Sequence, residues 1–427
     1  MDNGDIFEGI FSQGQKNGQG CLTQKNGSKF YGNWVADYLV ENGTCVSSLV
    51  DNETDRIWYK GEVKNGAAHG VGIEYLSNNL FYKGLFCDNK KDGIGKIYDK
   101  TGHVVYEGEF ENGDINGMGR NFWENGSLKQ QGLFMNGVLK KGSEFDKRGF
   151  LIYDGQYLNG KKDGLGKEYY KNGSKYVGSF LNDQKEGNGV FWYSNNVKMF
   201  EGNWADGQRN GLGKAYYTNG EIEYDGKWNN DQKSGFGVCH YKNGDIYEGN
   251  WLNDHKDING NEFYKNGSTY KGEWSIGQKC GKGTYKYKNG SEYTGNWKAN
   301  KREGYGVFVF NFGDKYEGNW SNDKIEGNGV YYYEDGTKSE GYFKNGIKDG
   351  GASVIVYEDG SKFCGEMKDG KRDGKGVLTS KSGEVLYEGG WSDDLFETEG
   401  KEFYPNGGYF EGNFKQGNKE GYGMYYN

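Results

Sequence analysis

Tyr247-Glu248-Gly249-Asn250-Trp251 sets an aromatic ring two residues to either side of a glycine. The same arrangement returns every 23 or 24 residues, anchored on Gly9, Gly32, Gly61, Gly84, Gly108, Gly132, Gly155, Gly178, Gly202, Gly226, Gly249, Gly272, Gly295, Gly318, Gly341, Gly365, Gly389 and Gly412. One step, from Gly32 to Gly61, is longer at 29 residues. A fixed period of this size marks a repeat architecture, in which each unit is a small supersecondary element and no single globular core exists. The sequence therefore predicts a continuous array of about 18 units over residues 5–427, with an irregular, longer unit at 30–58.

Mean hydropathy is −0.98, close to that of disordered chains. Disordered chains are poor in aromatics, whereas this one places 36 Tyr, 24 Phe and 11 Trp at recurring positions. Large rings bury much area per residue, so a thin structure can be stable without a thick aliphatic core. The 77 glycines come with one proline, Pro405, and follow no every-third-residue rule, which excludes collagen. No stretch is apolar enough to span a bilayer, and the start, Met1-Asp2-Asn3-Gly4-Asp5, is polar with no signal-like segment, so a cytoplasmic location is expected. Six scattered cysteines without a Cys-x-x-Cys pair argue against a disulfide framework or a zinc site. A net charge of −8 does not point to nucleic acid as a partner.

Within one unit, Tyr153, Gly155 and Tyr157 alternate with Asp154 and Gln156, which puts both rings and the glycine on one face of a strand. The glycine is expected to leave room there for a ring from the neighbouring strand. A polar loop is read over Leu158–Asp163, then Gly164-Leu165-Gly166 and a second strand through Lys167–Tyr170, with Asn172-Gly173 turning into the next unit. Each unit is one β-hairpin, too small to be stable alone, so the hairpins must stack. The expected fold is all-β, an elongated, twisted antiparallel array of hairpins with no helical domain. At about 4.8 Å per strand it would reach roughly 170 Å.

The run Tyr-x-Gly-x-Trp, a loop, Gly-x-Gly, then an aromatic and Asn-Gly resembles the MORN (membrane occupation and recognition nexus) repeat over essentially the whole chain. Thirteen of the eighteen units carry the Gly-x-Gly pair. The resemblance implies a repeat scaffold of the kind found in radial-spoke heads and other cytoskeletal assemblies. With no kinase- or methyltransferase-like neighbour in the sequence, a pure repeat array is expected.

Catalytic chemistry is not expected: carboxylates recur without a convergent pair, and His69, His103, His240 and His255 lie in different units without a ligand spacing. No cofactor or metal is implied. Gly187-Asn188-Gly189 is followed by strand, not by the helix a phosphate loop requires. A basic residue recurs seven positions after the anchor, at Lys16, Lys91, Lys162, Lys185, Arg209, Lys233, Lys256, Lys279, Arg302, Lys348, Arg372 and Lys419. These would line one edge at intervals of about 10 Å, a strip for weak contact with anionic lipid. Acidic neighbours such as Asp163, Glu186, Asp257 and Glu303 neutralise much of that field, so a solvated loop edge is the plainer reading. Trp204, Trp228, Trp251, Trp274, Trp297 and Trp320 form an aromatic face, read either as cross-strand packing or as a seat for a partner peptide.

Departures from the pattern are expected at bends or attachments. The segment 38–58 reads as a projecting loop; the units of Gly132, Gly249 and Gly389 carry shifted or single glycines at Gly142, Gly260 and Gly400; and Ala352 is read as replacing the second glycine in the unit of Gly341. The final strand, 421–426, offers Tyr422, Met424, Tyr425 and Tyr426 as an open edge for a homodimer. These features together predict a non-catalytic scaffold joining cytoskeletal or axonemal proteins, located in the cytoskeleton and most specifically in a cilium or flagellum. The alternatives are a membrane tether that binds anionic phospholipid and a secreted carbohydrate- or choline-binding repeat protein.

Overall fold

The computed structural model of the chain describes residues 4–25, 27, 29–39, 47–50, 57–64 and 67–427. The expected projecting loop at 38–58 lies largely outside the described residues. The chain forms two compact bodies, one of Met1–Arg209 with Thr218–Gly220 and one of Asn210–Tyr217 with Glu221–Asn427. Both are built from consecutive antiparallel hairpins, and a 3-10 turn at Ser77–Asn79 is the only helical element among the described residues. The first body opens with a separate four-stranded sheet over Ile6–Ser12, Gln15–Thr23, Lys29–Val35 and Tyr38–Leu39. The array is not closed: among the described residues the last strand, Asn418–Tyr426, pairs only with Tyr409–Lys415.

Register follows the glycines. Gly249 stands opposite Gly260, Gly260 opposite Gly272, Gly272 opposite Gly283 and Gly283 opposite Gly295. The expected alternation is present, but the ring that uses the space above the glycines belongs to the same strand. Tyr153 folds its ring over Gly155 and the cross-strand Gly166, so a Cβ on Gly155 would meet the Tyr153 hydroxyl at 2.5 Å and the Gly166 Cα at 2.6 Å. The tyrosine hydroxyl then donates to a backbone carbonyl three residues on, Tyr153 to Gln156 at 3.1 Å and Tyr247 to Asn250 at 3.0 Å. A buried phenol needs such an acceptor.

Gly-x-Gly is strand and bulge, not loop. The strand Lys161–Tyr169 already contains Gly164-Leu165-Gly166, and the hairpin turn is Asn159-Gly160. Register slips between Gly155 and Tyr157, where extra residues on the partner strand must be absorbed. Gly164 does this at φ +88°, in the left-handed region that glycine alone enters cheaply. In the units of Gly249 and Gly389 the same place is held by Ile258 at φ +58° and Thr398 at φ +62°. In the unit of Gly341 the residue opposite Gly365 is Ser353 rather than Ala352, because the extra glycine in Gly350-Gly351 shifts the count by one.

Two units lack the tyrosine-type ring altogether. Gln130 stands two residues before Gly132, and Ser339 two before Gly341. Elsewhere the rings form an edge-to-face zipper: Tyr247 meets Trp251 of its own unit at 5.1 Å and Trp274 of the next at 5.4 Å, with planes 87° and 86° apart. Among the described residues the zipper stops between Phe134 and Tyr153 and again between Phe343 and Phe363, beside those two substitutions.

Candidate interaction surface

Each hairpin has one face towards the ring zipper and one away from it, and the two faces divide the expected site residues. Trp204, Trp228, Trp251, Trp274, Trp297 and Trp320 lie on the zipper face and are only 3–7% exposed. Each indole Nε1 donates to the carbonyl of the second glycine in the preceding unit, Trp251 to Gly237 at 3.2 Å and Trp274 to Gly260 at 3.3 Å. These six rings are therefore core, which corrects their reading as a partner seat. The neighbouring units cover this face, which is the packing reading.

The basic ladder is placed differently from an open edge. The side chains of Lys162, Lys185, Lys233, Lys256 and Arg302 are 13–19% exposed. Their charged ends cap the ring zipper: Lys256 lies 4.6 Å from the Trp274 ring centre and 4.9 Å from that of Tyr247, and Arg302 lies 4.2 Å from Trp320. Lys279 sits within 5.4 Å of four rings, Tyr264, Tyr270, Tyr285 and Trp297, and burial lowers its pKa from the ordinary lysine value. Arg209 caps Phe200 at 5.8 Å. Several cations are also paired, Lys162 with Glu168, Lys256 with Glu262 and Arg302 with Asp323. The correction has a physical cause: the bulge after the anchoring glycine turns the seventh position inward, where the negative ring faces attract a cation. The sequence had placed this position in a loop.

The outer face carries the surface that remains available. The central residue of Gly-x-Gly is pushed out at the bulge, so Ile94, Met118 and Leu165 in the first body, and Leu212, Phe236 and Tyr305 in the second, are 56–68% exposed. In the second body a groove of about 790 Å³ has Gly249, Gly260, Gly272, Gly283 and Gly295 along its floor and Phe236 and Tyr305 at its ends. Asn250, Asn259, Lys271, Thr284 and Thr294 line its sides, and the two threonine hydroxyls lie 2.9 Å apart. The first body has a similar groove of about 720 Å³ with Ile94, Met118 and Leu133 beside the ion pairs of Glu107 with Lys96 and Arg120. Exposed apolar side chains standing among hydrogen-bonding groups offer an extended polypeptide both kinds of contact that it can make. The sequence reading missed this row, although the residue type between the two glycines was its visible signal.

At the end of the second body, Tyr422 and Tyr425 are 79% and 63% exposed, with Met424 and Tyr426 exposed beside them. Among the described residues, no helix is long and apolar enough to cross a membrane.

The model of the MORN repeat matches thirteen segments between residues 7 and 427, among them 153–175, 224–246 and 387–409. The matched segments cover more than half of the chain, and the protein belongs to the MORN-repeat family. No curated protein matches the sequence. Among solved structures, the chain is similar to the TCP domain of SAS-4 (dCPAP) of Drosophila melanogaster in complex with a proline-rich motif of Ana2 (dSTIL). Identity is 11%, coverage is 45% of this chain and 89% of that one, and the TM-score is 0.23. It is also similar to the TCP10 domain of Danio rerio CPAP in complex with a STIL peptide, at 12% identity, 64% and 98% coverage and a TM-score of 0.21. Family and fold together define a repeat scaffold.

Proposed function

We propose that the protein is a non-catalytic scaffold that holds cytoskeletal components together by binding extended segments of partner proteins along its outer face. Two exposed sets, Ile94, Met118 and Leu165 in the first body and Leu212, Phe236 and Tyr305 in the second, carry this reading, because each body keeps apolar groups on its outer face without burying them in the fold. Several weak contacts on one face add through avidity. The axonemal version, a radial-spoke-like assembly in a cilium or flagellum, rests on the family resemblance. The membrane-tether alternative loses support where the cations that would meet lipid headgroups are stacked on rings and paired with carboxylates.

The test is to tag the protein in its native cell, extract with non-ionic detergent and cross-link what remains. Retention on filaments supports the scaffold, and release with the membranes overturns it. The doubly substituted Phe236→Ser, Tyr305→Ser protein should lose its cross-linked neighbours while keeping its melting temperature. Retained neighbours would remove the groove from the reading. Co-sedimentation with phosphoinositide vesicles at physiological salt should show no lipid dependence.

A further inference from the structure

Unit-by-unit comparison singles out one hairpin junction. At the eighth position after the anchor several units carry an acceptor that receives the backbone N–H of the following unit's turn, as Glu303 does from Asn322 at 2.9 Å and Glu326 from Asn345 at 2.9 Å. After Gly61 that position is His69, and the preceding ladder position is Ala68 instead of a cation. The turn it faces begins with Cys87-Asp88, where other units have residues such as Leu, Ser or Lys before the turn.

The His69 Nδ1 atom is screened from solvent and has no hydrogen-bond partner. It lies 4.0 Å from the Asp88 carboxylate, and the donor atoms of His69, Cys87 and Asp88 all fall within 4.8 Å of one another. The junction is held in this arrangement from outside the cluster: the Asn89 N–H donates to the Ala68 carbonyl at 3.0 Å, and the Ala68 N–H donates to Asn89 Oδ1 at 2.7 Å.

We propose that His69, Cys87 and Asp88 form a binding site for one divalent transition-metal ion of the zinc type. Imidazole, thiolate and carboxylate together suit a borderline-soft cation and are a poor set for calcium or magnesium. Metal bonds of about 2.0–2.3 Å to such ligands place the donor atoms roughly 3.3–3.7 Å apart in a tetrahedron. Closing the cluster by up to about 1.5 Å would reach that geometry, and Cys87 and Asp88 are exposed and free to make the adjustment. The fourth position is open to water. Binding displaces the thiol proton to solvent, so affinity rises with pH. The ion would join the hairpin that starts at Gly61 to the one that starts at Gly84, at a place where other units such as those of Gly295 and Gly318 use an acid-to-turn hydrogen bond.

The experiment titrates the full-length, reduced protein with Co2+ alone and then with Zn2+. One equivalent of Co2+ should give a thiolate-to-cobalt charge-transfer band that Zn2+ abolishes. The band should be absent in Cys87→Ser and unchanged in Cys364→Ser, which removes an exposed thiol elsewhere. His69→Gln and Asp88→Asn should each weaken Co2+ binding by about tenfold or more. Circular-dichroism melts of the metal-free variants should match the parent, because the replaced groups carry no packing. A protein with no such band, a band that survives Cys87→Ser, or affinity unchanged by His69→Gln would each overturn the site.

Discussion

At the scale of single residues, the left-handed position in the bulge separates what the fold requires from what this chain supplies. Ile258 is β-branched, 61% exposed and held at φ +58°, where glycine costs little and isoleucine costs roughly 1 kcal/mol or more. Ile258→Gly should therefore stabilise the protein by about 0.5–1 kcal/mol in urea unfolding, since little apolar burial is lost. Lys348 is the second such place. With Ser339 where the ring should be, the lysine side chain fills the space, only 6% exposed, and donates to Ser339 Oγ at 2.7 Å. The Ser353 hydroxyl beside it has no partner. Burial holds the Lys348 ammonium down at about 8, so between pH 8 and the ordinary lysine value the unfolded chain binds the proton that the folded one has released. Stability must then rise with pH across that window, by up to about 3 kcal/mol. The burial that raises the phenol of Tyr106 to about 12 acts in the opposite direction above pH 10. The difference in melting temperature between the parent and Lys348→Met should shrink from pH 8 to pH 10.

At the scale of the hairpin, the period, the strand alternation and the aromatic anchoring were legible because they repeat in the sequence itself. What was misplaced depends on the bulge. Gly164-Leu165-Gly166 looks like a loop until the left-handed glycine is seen to keep the strand running, and that same slip turns Lys162 and Lys256 from an edge into ring caps. Ala352 was taken for the glycine equivalent because the doubled Gly350-Gly351 hides a one-residue insertion. The His69, Cys87 and Asp88 cluster was invisible to spacing, since its donors come from consecutive hairpins that only the pairing brings together. The buried tryptophans also change the outcome expected for their removal. Trp251→Ala takes away two edge-to-face contacts and the indole donor to the Gly237 carbonyl, so it should cost about 3–5 kcal/mol in denaturant unfolding before any effect on a partner is measurable.

At the scale of the whole molecule, stability in a repeat protein is a sum of unit and nearest-neighbour terms, and each compact body contains complete hairpins with their own zipper. A fragment of residues 210–427 should therefore fold alone, with the aromatic near-ultraviolet circular dichroism of packed Tyr and Trp rings. A fragment with no such signal would show that this body needs the other to form. The interruptions beside Gln130 and Ser339 remove ring contacts between neighbouring units, so limited proteolysis should cut there before it cuts between Tyr247 and Trp320.

The tryptophans of the ring zipper send their indole hydrogen bonds in one sense along the chain: Trp251 donates back to Gly237, Trp274 back to Gly260, Trp297 back to Gly283. Each acceptor belongs to the segment synthesised earlier. At ribosomal speed one unit emerges in about 1–5 seconds, long compared with the microseconds a hairpin needs to form. Each of these zipper tryptophans thus leaves the exit tunnel to find its carbonyl already in place, and the zipper can be built in the order in which it is translated.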